Sequence, residues 1–556
     1  MPRQPTRLDK RGGCPASSCK LSKVVHVVFQ THQSPLRSLP AIFLALRSIV
    51  PLSFLYISSA RRTPNDMQDK QLTLSFFNTA TKRLEEFKPI EDGVARMYTC
   101  GPTVYNFAHV GNFRAYIFED ILHRVLEYAG YRVTQVMNLT DVDDKTIRGC
   151  RAAGIPLKEY TKPYIDAFFE DIRTLNIVPA AKYPAATDHI PEMQSLISRL
   201  FENGLAYKSD DGSVYFNVAK FPQYGPPAHI DKEGMRGGAR VSQDEYDKES
   251  VGDFALWKGW TPDDGDVVWD SPWGRGRPGW HIECSAMSMK YLGETFDIHT
   301  GGIDNLFPHH ANETAQAEGA TGKPFVNCWL HCAHLRLNGE KMSKSLGNFY
   351  TLRDLLAKGW SGREIRYVLV SGHYRQTLNF TFDALAAART TLARIDAFVD
   401  RLREQRTGNG EQGTRNSEQG TPNSQLSTPN SQLSYLAKAQ AAFDAAIADD
   451  LNIPEALAAL FGLVREGNAA LDAGTMAPEE AEATLALLES FDKVLGFIFF
   501  GRKGNDIPAD VEDMLAERAA ARKAKAWAES DRIRDALKAM GWEVKDTPDG
   551  QKVRRL

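Results

Sequence analysis

The chain has 556 residues, of which 42% are hydrophobic and 25% are charged, and its formal net charge is −3. This length and composition are typical of a soluble protein with several domains and enough sequence for a large core. The small negative charge excludes capture of nucleic acid by the surface as a whole, so such a partner must meet local basic patches. Seven cysteines without a disulfide-like framework favour a reducing compartment.

The first 66 residues differ from the rest, with ten Lys and Arg against two Asp. Their apolar run, residues 41–57, is interrupted by Arg47 and is short for a membrane span. Two interpretations stay open: a removable organelle-targeting segment, or a start assigned too early, with Met67 as the true first residue. We expect no functional residue here, no membrane span and a cytoplasmic protein, with an organellar address still open.

From Leu72 onward the pattern is that of a globular α/β domain. Residues 94–99 are predicted to form a strand, 109–128 a helix that ends near Gly130, and 131–139 a second strand. Such a β-α-β unit predicts a parallel sheet that binds ligands at the carboxyl ends of its strands.

Three polar features fall at those strand ends: Cys100, His109 and the run 140–144, which opens with Thr140. His109 precedes Gly111 at the start of the predicted helix, where its ring and the first backbone amides can donate to a phosphate.

The following segments change in character. Residues 190–275 are rich in Gly, Pro and short strand-like pieces, and we interpret them as an insertion. The sheet is predicted to resume at 296–299 and again at 329–337, and helices are predicted over 351–402. Residues 407–434 are of low complexity, with Asn-Ser-Gln-Leu-Ser occurring twice, and should form a disordered linker.

The last part of the chain is helical and then basic. Residues 435–500 predict a small helical bundle, and 514–556 carry eleven Lys and Arg against seven Asp and Glu. The tail ends in a strand-like piece after Gly541. A basic tail is compatible with nucleic acid binding, and equally with a solvated amphipathic helix.

Several side chains have the donor types that zinc prefers. Cys284, His309 and Glu313 are such donors, and Pro308 would place the last two one turn apart on a helix face. Cys100 could supply a fourth ligand. Buried thiols beside an ordinary surface helix are the alternative interpretation.

A second Cys/His-rich stretch is a rival metal site. It contains Cys328, His331, Cys332 and His334. Alternation along a strand would divide these side chains between two faces of a sheet, which weakens this interpretation.

A loop with two lysines lies more than two hundred residues after His109. Lys341 and Lys344 flank Met342 and Ser343 and offer mobile positive charge. Together with His109, they suit a triphosphate held from two sides while its α-phosphorus is attacked. By itself the loop could be a solvated basic turn.

Four segments in a fixed order carry a family resemblance: residues 98–105, 279–287, 307–313 and 341–348. They resemble the cysteinyl-tRNA synthetases, which are class I aminoacyl-tRNA synthetases, and the similarity runs from about Leu72 to the end apart from the linker. The resemblance implies a Rossmann-type α/β catalytic domain with an inserted subdomain, then a helical anticodon-binding bundle and a small tail domain.

The implied domain boundaries follow from the same comparison. They are 1–66, an extension that is disordered, targeting or mis-assigned; 67–189, the first half of the catalytic domain; 190–275, the connective insertion; 276–350, the second half with the lysine loop; 351–406, a stem-contact helical region; 407–434, the linker; 435–503, the anticodon-binding bundle; and 504–556, the basic tRNA-binding tail.

The resemblance also implies site residues. The zinc ligands would be Cys100, Cys284, His309 and Glu313. The substrate pocket would comprise Thr140, Trp280, His299 and Asp304. Catalytic residues would be His109, Asn112, Lys341 and Lys344. His109, Gly111 and Lys344 would bind ATP, which Mg²⁺ would accompany. Asn112 stands where the family motif usually ends in His; it keeps a hydrogen-bond donor but cannot be protonated.

The implied partners are tRNA(Cys), L-cysteine and ATP, and the implied state is a monomer. In the tail, anticodon bases would stack on or bond to Trp527, Arg532, Arg534 and Trp542. The tail lacks the Trp that the family has after Gly550.

The implied activity is formation of cysteinyl-adenylate and transfer of the cysteinyl group to the terminal adenosine of the tRNA. Cysteine and serine are nearly isosteric, so a zinc–thiolate bond would separate them far better than shape. The insertion then needs no editing activity. Three alternatives remain: a zinc ion that only stabilises the fold, a ligase that joins cysteine to an amino sugar, and a non-catalytic paralogue.

Overall fold

The computed structural model describes residues 72–228, 252–342, 348–407, 429–502, 509–540, 542–547 and 550–555. The extension 1–66, most of the predicted linker and Lys344 lie outside these ranges. Within them, no helix combines the length and apolar character needed to cross a membrane.

The described strands, in chain order, are β1 Ser75–Asn78, β2 Arg83–Glu86, β3 Val94–Thr99, β4 Arg132–Met137, β5 Ala206–Lys208, β6 Val214–Phe216, β7 Phe254–Gly259, β8 Gly276–Pro278, β9 Phe296–Gly302, β10 Val326–Cys332, β11 Leu335–Leu337, β12 Glu340–Lys341, β13 Leu378–Phe380, β14 Trp542–Thr547 and β15 Gly550–Arg555. The α-helices are α1 Val110–Tyr128, α2 Asp144–Ala153, α3 Leu157–Thr174, α4 Ile190–Glu202, α5 Trp280–Leu292, α6 Ala311–Thr321, α7 Leu352–Ala357, α8 Gly362–Val370, α9 Phe382–Arg406, α10 Pro429–Ala448, α11 Ile453–Asp472, α12 Pro478–Leu495, α13 Ala509–Lys523 and α14 Trp527–Ala539.

The catalytic half is built on a four-stranded sheet in the order β10-β9-β3-β4. All three strand pairs are parallel. Residues on both faces of β3 are buried, as in a parallel sheet covered by helices on each side. The predicted parallel sheet and its β-α-β unit are therefore confirmed, although β4 is shorter than the predicted strand 131–139.

Helix α1 crosses from β3 to β4 and is largely buried. Its apolar residues Phe113, Ile117, Ile121 and Val125 lie in the core. Helices α8 and α12 also pack on α1. The helix ends at Tyr128 with Ala129 as its C-cap, and the φ of +96° at Gly130 lets the chain turn into β4.

The insertion consists of α4 and a separate antiparallel sheet in the order β5-β6-β7-β8. Strand β8 leads directly into α5, so this sheet extends slightly past residue 275. Gly279 makes the junction possible: a Cβ there would lie 2.1 Å from the carbonyl oxygen of Ala255.

Helix α10 begins at Pro429, inside the segment 407–434 that the sequence analysis assigns to the linker. Pro is tolerated in the first turn of a helix, where its missing N–H has no partner to lose. Further along α10, Phe443 stacks on Phe491 of α12 at 3.9 Å, and this packing stabilises the helix.

The C-terminal unit pairs α13 and α14 with the hairpin β14–β15. Its small core contains Val511, Ile533, Leu537 and Trp542. The strand-like piece predicted after Gly541 is thus the first strand of a hairpin. Trp542 is 3% exposed, so it supports this core and is not presented to a base, contrary to the expectation for that residue.

Candidate active site

The carboxyl edge of the parallel sheet brings together the four residues expected to bind zinc. Cys100 directly follows β3, Cys284 lies on α5, and His309 and Glu313 lie in the turn before α6 and in its first turn. Cys100 is half-buried and the other three are buried. Ligand atoms of Cys100, His309 and Glu313 lie within 4.8 Å of one another, and Cys284 is near enough to Cys100 and His309 for both to shift the pKa of its thiol. Three separate parts of the sequence therefore meet at this edge.

His309 and Glu313 form the closest contact in this group. His309 Nε2 lies 2.7 Å from Glu313 Oε1, as the predicted one-turn spacing requires. Glu313 Oε1 is buried and accepts no hydrogen bond of acceptable geometry. A buried carboxylate oxygen without such a bond is costly unless a cation neutralises it.

The buried side chains of this site carry charges, and a bound divalent cation could supply the positive charge among them. Against the effect of burial, Glu313 and Cys284 raise the pKa of His309 to about 10, and His309 and His299 lower the pKa of Glu313 to about 2. A hydrogen bond from Cys100 lowers the pKa of Cys284 to about 6, while the same pairing and burial raise that of Cys100. Sulfur, imidazole and carboxylate form the ligand set typical of zinc, and binding of the ion would displace the protons that His309 and the thiols hold in its absence.

Four further histidines, only one of them in the predicted set, surround this group. His281 Nδ1 lies 2.8 Å from His309 Nδ1, and His299 Nε2 lies 2.8 Å from Glu313 Oε2. His310 Nε2 lies 3.3 Å from Cys100 Sγ, and its Nδ1 lies 2.8 Å from His331 Nε2. Cys100, His309 and Glu313 therefore each have a histidine neighbour that can orient them.

Sequence reasoning missed His281, His310 and His331 as parts of this site. A signal existed for two of them, since His281 follows Trp280 and His310 follows His309 within the segments that carry the resemblance. His310 is close enough to Cys100, His309 and Glu313 to be a ligand itself, with donor atoms within 4.8 Å of one another. Burial and the neighbouring histidines hold its pKa well below the ordinary value, so it is neutral.

The rival cluster is not a separate metal site. The strand β10 divides it as alternation predicts: His331 contacts His310, whereas the Cys332 thiol lies 3.7 Å from the carbonyl oxygen of Arg114. Within the described ranges, the group of close metal-ligand side chains is the one around Cys100 and Glu313.

Of the four residues expected in the substrate pocket, two contact the candidate zinc ligands directly and two lie further from them. Trp280 stacks on His309 at 4.3 Å and is 36% exposed, so one face of its ring borders solvent. His299 is buried, stacks on Trp329 and bonds to Glu313. Both therefore lie at the candidate metal centre.

The other two expected pocket residues, Thr140 and Asp304, lie further from the candidate metal centre. The Thr140 hydroxyl donates to Glu283 Oε2 at 3.0 Å, and Glu283 precedes Cys284 on α5. Burial raises the pKa of Glu283 well above its ordinary value. Asp304 is exposed on the loop that follows β9.

His109 and Asn112 form the N-terminal cap of α1. The Asn112 amide donates to His109 Nδ1 at 3.2 Å, and the Asn112 side chain accepts from the His109 amide at 3.0 Å. Asn112 therefore completes a reciprocal capping box, a role that needs no titratable side chain. The cap fixes the ring of His109 where the first amides of a helix attract a phosphate.

The start of the lysine loop lies beside this cap. A Cβ at Gly111 would lie 2.5 Å from Met342 Cε, so the methionine side chain packs directly against the start of α1. Lys341 is exposed at the end of β12, and the Asn348 side chain donates to its carbonyl oxygen at 3.2 Å. The structure thus brings the His109 and Lys341 segments together, while Lys344 lies outside the described residues.

The residues expected to contact tRNA lie on α14. Trp527 is 55% exposed, with the Arg522 guanidinium 5.7 Å from its ring centre. Arg532 and Arg534 are exposed and pair with Glu529 and Asp531 at 2.6 and 3.0 Å. An RNA phosphate would have to compete with these carboxylates.

The fold and the arrangement of this site define a class I aminoacyl-tRNA synthetase. The profile described as the tRNA synthetases class I (C) catalytic domain matches residues 86–390, more than half of the chain. A DALR domain matches 442–500 and the cysteinyl-tRNA ligase anticodon binding domain matches 504–554. The methionyl-tRNA synthetase of Mycobacterium tuberculosis in complex with methionyl-adenylate has a similar fold, with a TM-score of 0.51, 17% identity and coverage of 73% of this chain and 90% of that one.

Two curated relatives make the assignment more specific. The cysteine–tRNA ligase of Protochlamydia amoebophila is 48% identical over 88% of this chain and 100% of its own length. That of Brachyspira hyodysenteriae is 50% identical over 86% of this chain and 99% of its own length. The chain belongs to the cysteine–tRNA ligase family.

Proposed function

We propose that this enzyme selects L-cysteine by binding its thiolate to a zinc ion held by Cys100, Cys284, His309 and Glu313. The overall reaction is that of the family: ATP-dependent activation of cysteine and transfer to tRNA(Cys). The observation that carries the proposal is that ligand atoms of Cys100, His309 and Glu313 lie within 4.8 Å of one another. Cys284 lies outside that closest group but is near enough to Cys100 and His309 for both to lower the pKa of its thiol. A zinc ion bound there would supply a soft Lewis acid that prefers sulfur to the hydroxyl of serine.

The surrounding side chains account for orientation around that bond. His281 and His299 fix the ring of His309 and the carboxylate of Glu313. His310, held neutral by burial, can donate to the Cys100 thiolate without adding charge. Trp280 covers His309 and leaves one approach for a small amino acid along its exposed face.

ATP would bind between the cap of α1 and the lysine loop. The His109 ring and the first amides of α1 would donate to the phosphates from one side, and Lys341 and Lys344 would supply positive charge from the other. The cysteine carboxylate would attack the α-phosphorus, and Mg²⁺ would accompany the leaving pyrophosphate. Positioning and charge stabilisation supply most of the catalysis in such a transfer.

Removal of the metal separates this function from a structural role. We expect chelation to abolish cysteine-dependent pyrophosphate exchange before it lowers the melting temperature, and zinc to restore the exchange. Serine should support exchange at least about 10⁴-fold less well than cysteine, since hydroxyl and thiol differ greatly as zinc ligands. Unfolding that precedes the loss of cysteine binding would mean that zinc only stabilises the fold.

Two competing functions are separated by a second assay. The family match over 504–554 covers a region that the amino-sugar ligases lack, and it favours a tRNA substrate. Charging of a tRNA(Cys) transcript is expected. Exchange without charging would favour the amino-sugar ligase, and absence of both would favour the non-catalytic paralogue.

A further inference from the structure

Helix α3 is a common support for the two segments that border the proposed ATP site. The segment that leads to His109 rests on it through two contacts: the Tyr160 hydroxyl donates to the Tyr105 carbonyl oxygen at 3.1 Å, and Phe107 packs edge-on against Tyr164 at 5.3 Å. Neither contact involves His109 itself. The helix therefore supports this segment from outside the site.

The segment that leaves the lysine loop is fastened to α1 and then to α3. The Val110 amide donates to the Tyr350 carbonyl oxygen at 3.0 Å, and Phe349 packs edge-on against the His109 ring at 4.9 Å. Three residues after Tyr350, Arg353 in the first turn of α7 reaches α3. The position of Phe349 and Tyr350 therefore depends on where α7 begins.

Arg353 is the residue that contacts all three parts. Its guanidinium bonds to the carboxylates of Asp171 and, at 2.6 Å, Glu170, both near the end of α3. It also lies over the ring of Phe107, 5.1 Å from the ring centre. A planar guanidinium can bond to carboxylates at its edge and stack on an aromatic ring at its face, which a lysine cannot do.

The burial of Asp171 makes this arrangement more specific than a surface ion pair. The side chain of Asp171 is 3% exposed, whereas that of Arg353 is 31% exposed. Burial raises the pKa of Asp171 to about 6 even with Arg353 beside it. Without Arg353 this buried carboxylate would lose its charged partner, and the first turn of α7 would lose its connection to α3.

We propose that Arg353 is a positioning residue for ATP in the activation step, which holds the segment before His109 and the segment after the lysine loop on α3. The proposal rests on the proposed placement of ATP between those segments. It assigns Arg353 no contact with substrate. Its effect is on the relative position of two sets of phosphate donors, for which displacements of about 1 Å can cost on the order of 100-fold in rate.

Arg389 offers a matched control elsewhere in the molecule. It too pairs with a carboxylate, Glu364 Oε1 at 2.6 Å, and lies over an aromatic ring, that of Trp360 at 4.5 Å. It joins α9 to α8 and touches neither ATP-site segment. Arg353→Met and Arg389→Met thus remove the same kinds of contact in two places.

The test uses the full-length enzyme loaded with zinc. We expect Arg353→Met to raise the KM for ATP in pyrophosphate exchange by about tenfold or more. The KM for cysteine should change less than about twofold, because the candidate metal centre lies on other elements.

Arg389→Met should leave both constants unchanged, and Arg353→Lys, which keeps a charge beside Asp171, should recover part of the ATP affinity. The proposal would be overturned if Arg353→Met and Arg389→Met had the same KM for ATP. It would also be overturned if Arg353→Met raised the KM for ATP and the KM for cysteine by the same factor.

Two further measurements keep the result decisive. Equilibrium dialysis with ATP alone reports the same effect without cysteine, so failure of the zinc proposal would not obscure it. If Arg353→Met does not fold, Phe107→Leu replaces it, since this variant keeps an apolar side chain and removes the ring over which Arg353 lies, together with the edge contact of that ring to Tyr164. We then expect a rise of about threefold in the ATP dissociation constant, and an unchanged constant would refute the role of the Arg353 contact.

Discussion

At the scale of single residues, the zinc proposal depends on the thiol of Cys284. We expect Cys284→Ser to lower the zinc content and to reduce cysteine-dependent exchange by at least about 100-fold, because a neutral hydroxyl is a far weaker zinc ligand than a thiolate. Metal analysis and exchange kinetics on the same preparation measure both effects.

Cys150 is a suitable control for that substitution. It is also buried, on α2, and its thiol bonds to the carbonyl oxygen of Ile147 at 3.2 Å, outside the candidate metal centre. Cys150→Ser should keep its zinc and its activity. A loss of zinc in both variants would indicate a general effect on the fold, and retention of zinc in Cys284→Ser would exclude this residue as a ligand.

Single residues also show which parts of the site could be predicted from the sequence. His309 and Glu313 could be paired from their spacing, since residues four apart share a helix face. Cys100 and Cys284 are 184 positions apart, and their pairing came from the family resemblance because nothing in the local sequence joins them. The contact between His310 and His331 could not be predicted from sequence, because it depends on how the turn before α6 meets β10.

At the scale of secondary-structure elements, a buried arginine joins the catalytic half to the helical bundle. Arg366 on α8 is fully buried and bonds to Asp120 of α1 at 2.6 Å and to the carbonyl oxygen of Leu495, at the end of α12, at 2.9 Å. It also bonds to the carbonyl oxygens of Leu175 and Asn176. One side chain thus satisfies several buried acceptors.

Arg366→Met should be strongly destabilising, since it leaves a buried carboxylate and buried carbonyl groups without their donor. We expect a loss of about 3–5 kcal/mol in the free energy of unfolding, measured by urea denaturation. Arg401→Met is the matched control: its pair with Asp472 is exposed, and its loss should cost no more than about 1 kcal/mol. Equal costs for the two variants would contradict the role of the buried arginine.

The contribution of the Arg366–Asp120 pair should depend on pH. Although burial opposes ionisation, Arg124 and Arg366 keep the pKa of Asp120 below its ordinary value. A carboxyl whose pKa is lower in the folded state contributes stability above its unfolded pKa, and this contribution is lost as the pH falls through the folded pKa. The difference in unfolding free energy between the wild type and Arg366→Met should therefore be full above about pH 5 and shrink below about pH 4. A difference independent of pH would argue against an ionised Asp120.

The ends of strands and helices were predicted best where a single local feature of the sequence determines them. Strand β3 has the predicted bounds, because apolar residues fill it up to the Gly-Pro turn that follows Cys100. Helix α10 begins earlier than predicted, because its contacts with α11 and α12 come from tertiary packing that composition does not report. The four-stranded order of the parallel sheet likewise required the structure, as 158 residues separate the end of β4 from the start of β9.

At the scale of the whole molecule, activation and tRNA recognition belong to different parts of the chain. Trp527 is the exposed aromatic residue of the C-terminal unit and lies on a different core from the catalytic sheet. If it stacks on an anticodon base, Trp527→Ala should lower kcat/KM for tRNA charging by about 1–3 kcal/mol, or roughly five- to 150-fold. Exchange without tRNA should be unchanged. Charging that equals the wild type would exclude Trp527 as a base contact.

The most direct measurement of the central claim is X-ray absorption at the zinc edge, recorded without and with L-cysteine. The account predicts two sulfur ligands at about 2.3 Å in the free enzyme and three when cysteine is bound, with no change on addition of serine. A sulfur count that stays the same with saturating cysteine would contradict recognition of the substrate through a zinc–thiolate bond.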